Sequence, residues 1–172
     1  MQFLKFPEFN DKSSCLSMFS EWRDFETTPT SPGRLFVWES YEEFLDIITT
    51  DVTANPHGVN STLFFFMEDE EILGAIQVRH HIDHPRLSLE GEGHGHIGYG
   101  LRPSARGKWL ANVMLSLGLE EARKLGIEKV VVSADETNPA SWKTIEHCGG
   151  VLYDTKEENG KILKIYTIVL WK

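Results

Sequence analysis

The sequence predicts an α/β fold with a mixed sheet, and three observations support it. Apolar residues recur at helical spacing before residue 60, and two strongly apolar strand-like runs follow between residues 62 and 82. From Gly95 onward strand, helix, strand and helix alternate before a closing hairpin. At 172 residues the chain suits one domain, residues 1–172, with a helical part over 1–61 and a sheet-forming part over 62–172.

Between Asp11 and Phe25, the residues Cys15, Met18, Phe19, Trp22 and Phe25 form one apolar stripe. An amphipathic helix is expected there, ended by the run Thr27-Thr28-Pro29-Thr30-Ser31-Pro32-Gly33. A second helix is expected from about Glu39, with Tyr41, Phe44, Leu45 and Ile48 as its buried stripe, dissolving into a polar loop from Asp51 to Ser61. Thr62 to Met67 is apolar almost throughout, as in a strand covered on both faces, and Glu68 to Glu71 turns it into a second strand over Ile72 to Ile82. Past the loop Asp83 to Gly93, a strand over Gly95 to Leu101 leaves through Arg102-Pro103-Ser104. A helix follows on the stripe Leu110, Val113, Met114, Leu117 and Ala122 and stops at Gly126. Lys129 to Ala134 reads as a short buried strand, Asn138 to His147 as a short helix, and Val151 to Lys172 as a hairpin around Asn159-Gly160.

With 41% hydrophobic, 25% charged and 11% aromatic residues, the composition is that of an ordinary globular protein rather than a disordered chain. A net charge of −9 argues against nucleic acid, whose phosphates demand clustered Lys and Arg, and favours amines and other cations as partners. Cys15 and Cys148 lie far apart with no CxxC or zinc-ligand spacing. This fits buried thiols in a reducing compartment, so a cytoplasmic location is expected. The N-terminus has no basic n-region with a long apolar core, and no stretch approaches a membrane span, so no membrane partner is expected. A homodimer is compatible with the sequence.

The turn Arg106-Gly107-Lys108-Trp109-Leu110-Ala111 follows a strand and opens a helix. Free N–H groups at such a place point toward an anion, Arg106 and Lys108 add charge, and Gly107 lets the backbone approach a ligand without a Cβ in the way. Together with Asn138-Pro139-Ala140-Ser141 and Glu146-His147-Cys148-Gly149-Gly150, the segment Gly95 to Ala111 resembles the GCN5-related N-acetyltransferase (GNAT) superfamily, in the branch with a Gly-His-Ile-Gly-Tyr strand followed by Arg-Pro-Ser. The resemblance runs from Thr62 to the C-terminus. It implies the acyl-CoA N-acyltransferase (GNAT) fold: a mostly antiparallel central sheet splayed between two strands, with helices on both faces. Residues 1–61 would then form the acceptor side and residues 62–172 the acyl-CoA-binding part.

On this resemblance, acetyl-CoA is the co-substrate. Its pyrophosphate would lie on the loop of Arg106, Gly107, Lys108, Trp109, Leu110 and Ala111, and its thioester carbonyl near the N–H of Leu101. Its pantetheine arm would enter between the strands starting at Gly95 and Lys129. Asn138 would be a further polar contact, although by itself it also reads as an N-cap ahead of Pro139. The sequence departs from the family at two places. Trp109 stands where the family has glycine, so the indole either turns to the flank of the channel or narrows it. Ile145 stands where many members carry a tyrosine that protonates the leaving thiolate, which leaves the Ser141 hydroxyl, one helical turn earlier, as the substitute donor.

An attacking ammonium, with an ordinary pKa of ~10.4, must first lose a proton. His96 is a candidate relay, and Glu90 and Glu92 in the preceding loop are further candidates. His80, His81, His84, His94 and His96 raise the question of a metal, but no HExxH or cysteine pair joins them and no metal is expected. The expected activity is transfer of an acetyl group from acetyl-CoA to an amine of a small molecule or peptide, by direct attack in a ternary complex. The alternative is a catalytically inactive ligand-binding or sensing module of the same fold, its cradle altered by Trp109.

Overall fold

The computed structural model describes residues 1–24, 40–51 and 59–170. In chain order the elements are β1 (Gln2–Lys5), α1 (Lys12–Asp24), α2 (Tyr41–Asp51), β2 (Ser61–Glu68), β3 (Glu71–Arg79), β4 (Ile97–Leu101), α3 (Leu110–Lys124), β5 (Lys129–Asp135), α4 (Pro139–His147), β6 (Val151–Glu158) and β7 (Lys161–Val169). Phe25, the run Thr27 to Gly33, the helix start at Glu39 and residues 52–58 of the expected loop lie outside the described residues.

The strands form a four-stranded sheet in the order β1-β2-β3-β4 and a three-stranded sheet in the order β5-β7-β6, with every ladder antiparallel. The expected sheet, mostly antiparallel and splayed between two strands, takes the form of two antiparallel sheets joined by an isolated bridge between Gly95 and Val132. Gly95 sits at φ +72°, and a Cβ there would come within 2.2 Å of the Val131 carbonyl oxygen, so only glycine brings the two backbones this close. Beyond this point β4 is the edge of its sheet.

Alternation along β2 explains its apolar run. Leu63, Phe65 and Met67 face one core with Cys15, Met18, Phe19 and Trp22 of α1 and Tyr41 and Phe44 of α2, while Phe64 and Phe66 face a second core. That second core holds Ile76, Val78, Ile97 and Leu101 against Met114, Leu115, Leu119 and Ala122 of α3, and continues under the other sheet through Val130, Val132, Tyr166 and Ile168. The buried face of α3 is turned slightly from the expected stripe: Leu115 and Leu119 are inside and Val113 is exposed. β1 pairs with β2 along Gln2 to Lys5. No helix among the described residues is long and apolar enough to cross a membrane.

Arg102 locks the exit of β4 to α1. Buried at 7% exposure, its guanidinium reaches Glu21 at 2.5 Å, Glu71 at 2.7 Å, the Ser17 hydroxyl at 3.2 Å and the Ile72 carbonyl at 3.2 Å. Burial pushes the Glu21 carboxyl up. The Ser104 amide and hydroxyl and the Arg102 guanidinium outweigh it and hold the carboxyl below its ordinary value.

Candidate functional site

A cleft of about 580 Å³ opens where β4 parts from β5. Its walls include Leu101 from β4, Arg106, Gly107, Trp109, Leu110 and Ala111 from the loop and the start of α3, Asn138 just ahead of α4, and Ser141 from α4. The sequence-identified cofactor residues therefore come together around one cavity, apart from Lys108, which is exposed outside it. The cleft also takes in Tyr99, Lys143 and His147, which the sequence reading did not assign to a site.

The strand pattern orients the backbone of β4. Arg102 donates its N–H to the Leu73 carbonyl at 2.8 Å, and the His96 carbonyl accepts from the Arg79 N–H at 2.8 Å, both toward β3. Peptide groups alternate along an antiparallel strand, so those of Ile97, Tyr99 and Leu101 face the opposite edge, which β5 leaves uncovered. The Leu101 carbonyl accepts from Arg106 Nε at 3.3 Å on this open side.

No side chain caps the N-terminus of α3, in contrast with α4, where Asn138 Oδ1 accepts from the Ser141 N–H at 3.2 Å. The first N–H groups of α3, Leu110 and Ala111 among them, have no intrahelical carbonyl to meet and stand at the positive end of the helix dipole. Gly107, at φ +73°, has nothing within 4 Å of where a Cβ would lie, so the cradle is open. Trp109 adopts φ +62° and ψ +1°, the left-handed conformation that the family's glycine would take without strain. The residue is 66% exposed and its indole meets His147 edge-on, with centroids 5.1 Å apart, so it stands at the rim rather than across the cleft.

Ile145 is fully buried in the core, and the hydroxyl at the cleft comes from elsewhere. Tyr99 Oη lies 3.1 Å from the Ser141 hydroxyl and donates toward the Ser141 carbonyl oxygen at 3.2 Å. Burial pushes the Tyr99 phenol up to about 12, so it keeps its proton through the neutral range.

Tyr99, Asn138 and Ser141 also line a second cavity, of about 690 Å³, with Arg79, Arg86, His94, Asp135 and Glu158 among its walls. His94 Nε2 lies 3.1 Å from Glu158 Oε2 and 3.5 Å from Glu92 Oε2, close enough for charge but outside hydrogen-bond geometry. These three residues form the one cluster with metal-ligand proximity among the described residues. Arg86 already faces both carboxylates, at 2.9 Å from Glu92 and 3.6 Å from Glu158.

The other histidines are dispersed. His80 pairs with the Thr62 hydroxyl at 2.9 Å, His84 Nδ1 accepts from the Arg86 N–H at 3.2 Å, and His81 lies 3.3 Å from Asp83. His96 is buried, lines neither cavity, and accepts the Val131 N–H at Nδ1 over 3.0 Å. Burial and the nearby Arg79 charge push its pKa down to about 4. The expected relay role does not suit this histidine: its acceptor nitrogen is occupied by the backbone, and it is too weak a base to hold a proton at neutral pH. Glu92 is exposed and held below its ordinary value by the Arg86 guanidinium, which makes it a poor base as well.

The chain matches the model of the acetyltransferase (GNAT) domain across residues 7–151. Among solved structures it is similar to Mycobacterium smegmatis RimJ in complex with a CoA disulfide, at 16% identity and a TM-score of 0.72, covering 98% of this chain and 81% of that one. It is also similar to RimL, a ribosomal L7/L12 alpha-N-protein acetyltransferase in complex with coenzyme A, at 15% identity and a TM-score of 0.70, covering 98% and 94%. The structure of yncA from Salmonella typhimurium, a putative acetyltransferase with acetyl-CoA, aligns over 99% and 95% at 16% identity and a TM-score of 0.67. No curated protein sequence matches significantly. The structural likenesses establish the shared fold, and the domain match, which takes in the splayed strands and the loop before α3, establishes that this chain belongs to the GNAT acetyltransferase family.

Proposed function

We propose that the protein is an acetyl-CoA-dependent N-acetyltransferase acting on an amine of a small molecule or peptide by direct attack in a ternary complex. The observation that carries this reading is the meeting of two cavities at Tyr99, Asn138 and Ser141, one lined by an uncapped helix start and the other by ionisable side chains. Donor and acceptor can therefore meet at one point, each from its own cavity. The open cradle at Gly107 fits a diphosphate, and the two free cysteines support a cytoplasmic setting.

Acetyl-CoA, when bound, supplies an acyl group on a thiol that leaves readily. The Leu101 N–H, facing the open edge of β4, holds the carbonyl oxygen and stabilises the negative charge that develops there. The hydroxyl pair of Tyr99 and Ser141 returns a proton to the departing sulfur, the role that Ile145 cannot fill. We assign removal of the ammonium proton to His94, through water, in place of His96 and Glu92. Glu158 and Glu92 neutralise the charge that proton uptake creates.

A thermal melt with acetyl-CoA tests this reading. A ligand at a hundred times its Kd adds about 2.7 kcal/mol of stability, or roughly 5–10 °C for a chain of this size. A chelator should change neither Tm nor activity. An unchanged Tm in millimolar acetyl-CoA would remove the transferase reading, and a chelator-induced loss restored by zinc would make Glu92, His94 and Glu158 a metal site.

A further inference from the structure

Trp109 is a costly residue for its position, and packing does not explain it. The backbone there is left-handed, which penalises any Cβ, and the residue is 66% exposed, so the side chain gains little burial in return. What the indole does have is a place at the rim of the cleft, edge-on to His147, with Lys143 also in the wall. His147 Nδ1 lies 2.7 Å from the Lys143 carbonyl oxygen and donates to it, which in the neutral ring leaves Nε2 as an acceptor. An aromatic face beside a free acceptor complements a flat base that carries an exocyclic amino group.

The chemistry of the donor decides which group comes to this rim. In a CoA thioester the diphosphate separates the pantetheine arm from the adenosine. With the diphosphate on the amides before α3 and the arm running inward to Leu101, the adenosine is directed outward, and Trp109 and His147 are the ring pair that the cleft wall offers it. We infer that Trp109, with His147, forms an adenine-binding platform that makes this protein specific for nucleotide-bearing acyl thioesters over acyl groups carried on phosphopantetheine alone. The inference rests on the acetyl-CoA reading of the cleft.

Calorimetric titration of the whole protein with CoA, 3′-dephospho-CoA and 4′-phosphopantetheine tests it without an acceptor. Wild type should bind both adenine-bearing ligands about tenfold more tightly than phosphopantetheine, as expected for one base stacked on an exposed ring. Trp109→Gly should lose about five- to tenfold on CoA and dephospho-CoA alike and leave phosphopantetheine unchanged, while Trp109→Phe should keep most of the preference. The glycine variant suits the left-handed backbone, so a folding defect is not expected to blur the comparison. An equal loss on all three ligands, or tighter CoA binding by Trp109→Gly, would overturn the platform. Wild type that binds CoA and phosphopantetheine equally would overturn the platform alone, whereas wild type that binds none of them would remove the acetyl-CoA reading with it.

Discussion

At the scale of single residues, Trp109 separates stability from function. A non-glycine residue in the left-handed region costs about 1–2 kcal/mol. Trp109→Gly should therefore raise stability by ~1 kcal/mol in denaturant melts, after allowance for the freer unfolded chain. Tyr99 is the second residue to test. Tyr99→Phe removes the phenol that pairs with Ser141 and should lower kcat about 10–100-fold with a small change in KM, read in steady-state kinetics. His96 belongs to stability instead. Its folded pKa of about 4 lies below the ordinary value of 6.5, so the unfolded chain binds the proton more tightly and stability is full above pH 6.5. As pH falls from 6.5 toward 4 the protein should lose on the order of 3 kcal/mol. His96→Asn, which offers an oxygen to the Val131 N–H, should flatten that slope while sparing activity. Equal slopes in the two proteins would contradict this account.

At the scale of elements, what was legible in the sequence followed from pattern strength. β2 and β3 were legible because a strand covered on both faces reads as a continuous apolar run, and the β6–β7 turn because Asn159-Gly160 suits a tight hairpin. β1 carries no legible signal, because four residues at a sheet edge, none of them buried, show no period long enough to detect. The loop before α3 was legible as a motif, whereas Tyr99 was not, because a strand tyrosine marks a site only when the neighbouring strand is known to leave. His94 and Glu158 come from a loop and a distant strand, and no spacing joins them. In the sequence Arg102 is part of an exit turn, and its pairing with Glu21 across 81 residues is visible only in three dimensions. Removing it leaves Glu21 partly buried without its cation, so Arg102→Ala should destabilise the docking of α1 by about 3 kcal/mol, seen as a lower urea midpoint. A change within experimental error would mean that α1 is held by its apolar face alone.

At the scale of the whole molecule, two antiparallel sheets touch at Gly95 and then part, and the candidate cleft is the consequence of that parting. The helix pair α1 and α2 closes one face of the first sheet and α3 the other, so the edge of β4 is held rigidly while its outward peptide groups stay available to a ligand. The acidic charge of −9 suits the amine acceptor proposed above. These features support the proposed acetyl transfer at the junction of the two cavities. The most direct measurement is amine-dependent release of CoA thiol from acetyl-CoA across a panel of small and peptide amines, with the acetylated product identified by mass. The account predicts thiol and acetylated amine in equal amounts from wild type, with both slowed together in Tyr99→Phe. Binding of acetyl-CoA with no amine-dependent thiol release across the panel would contradict it.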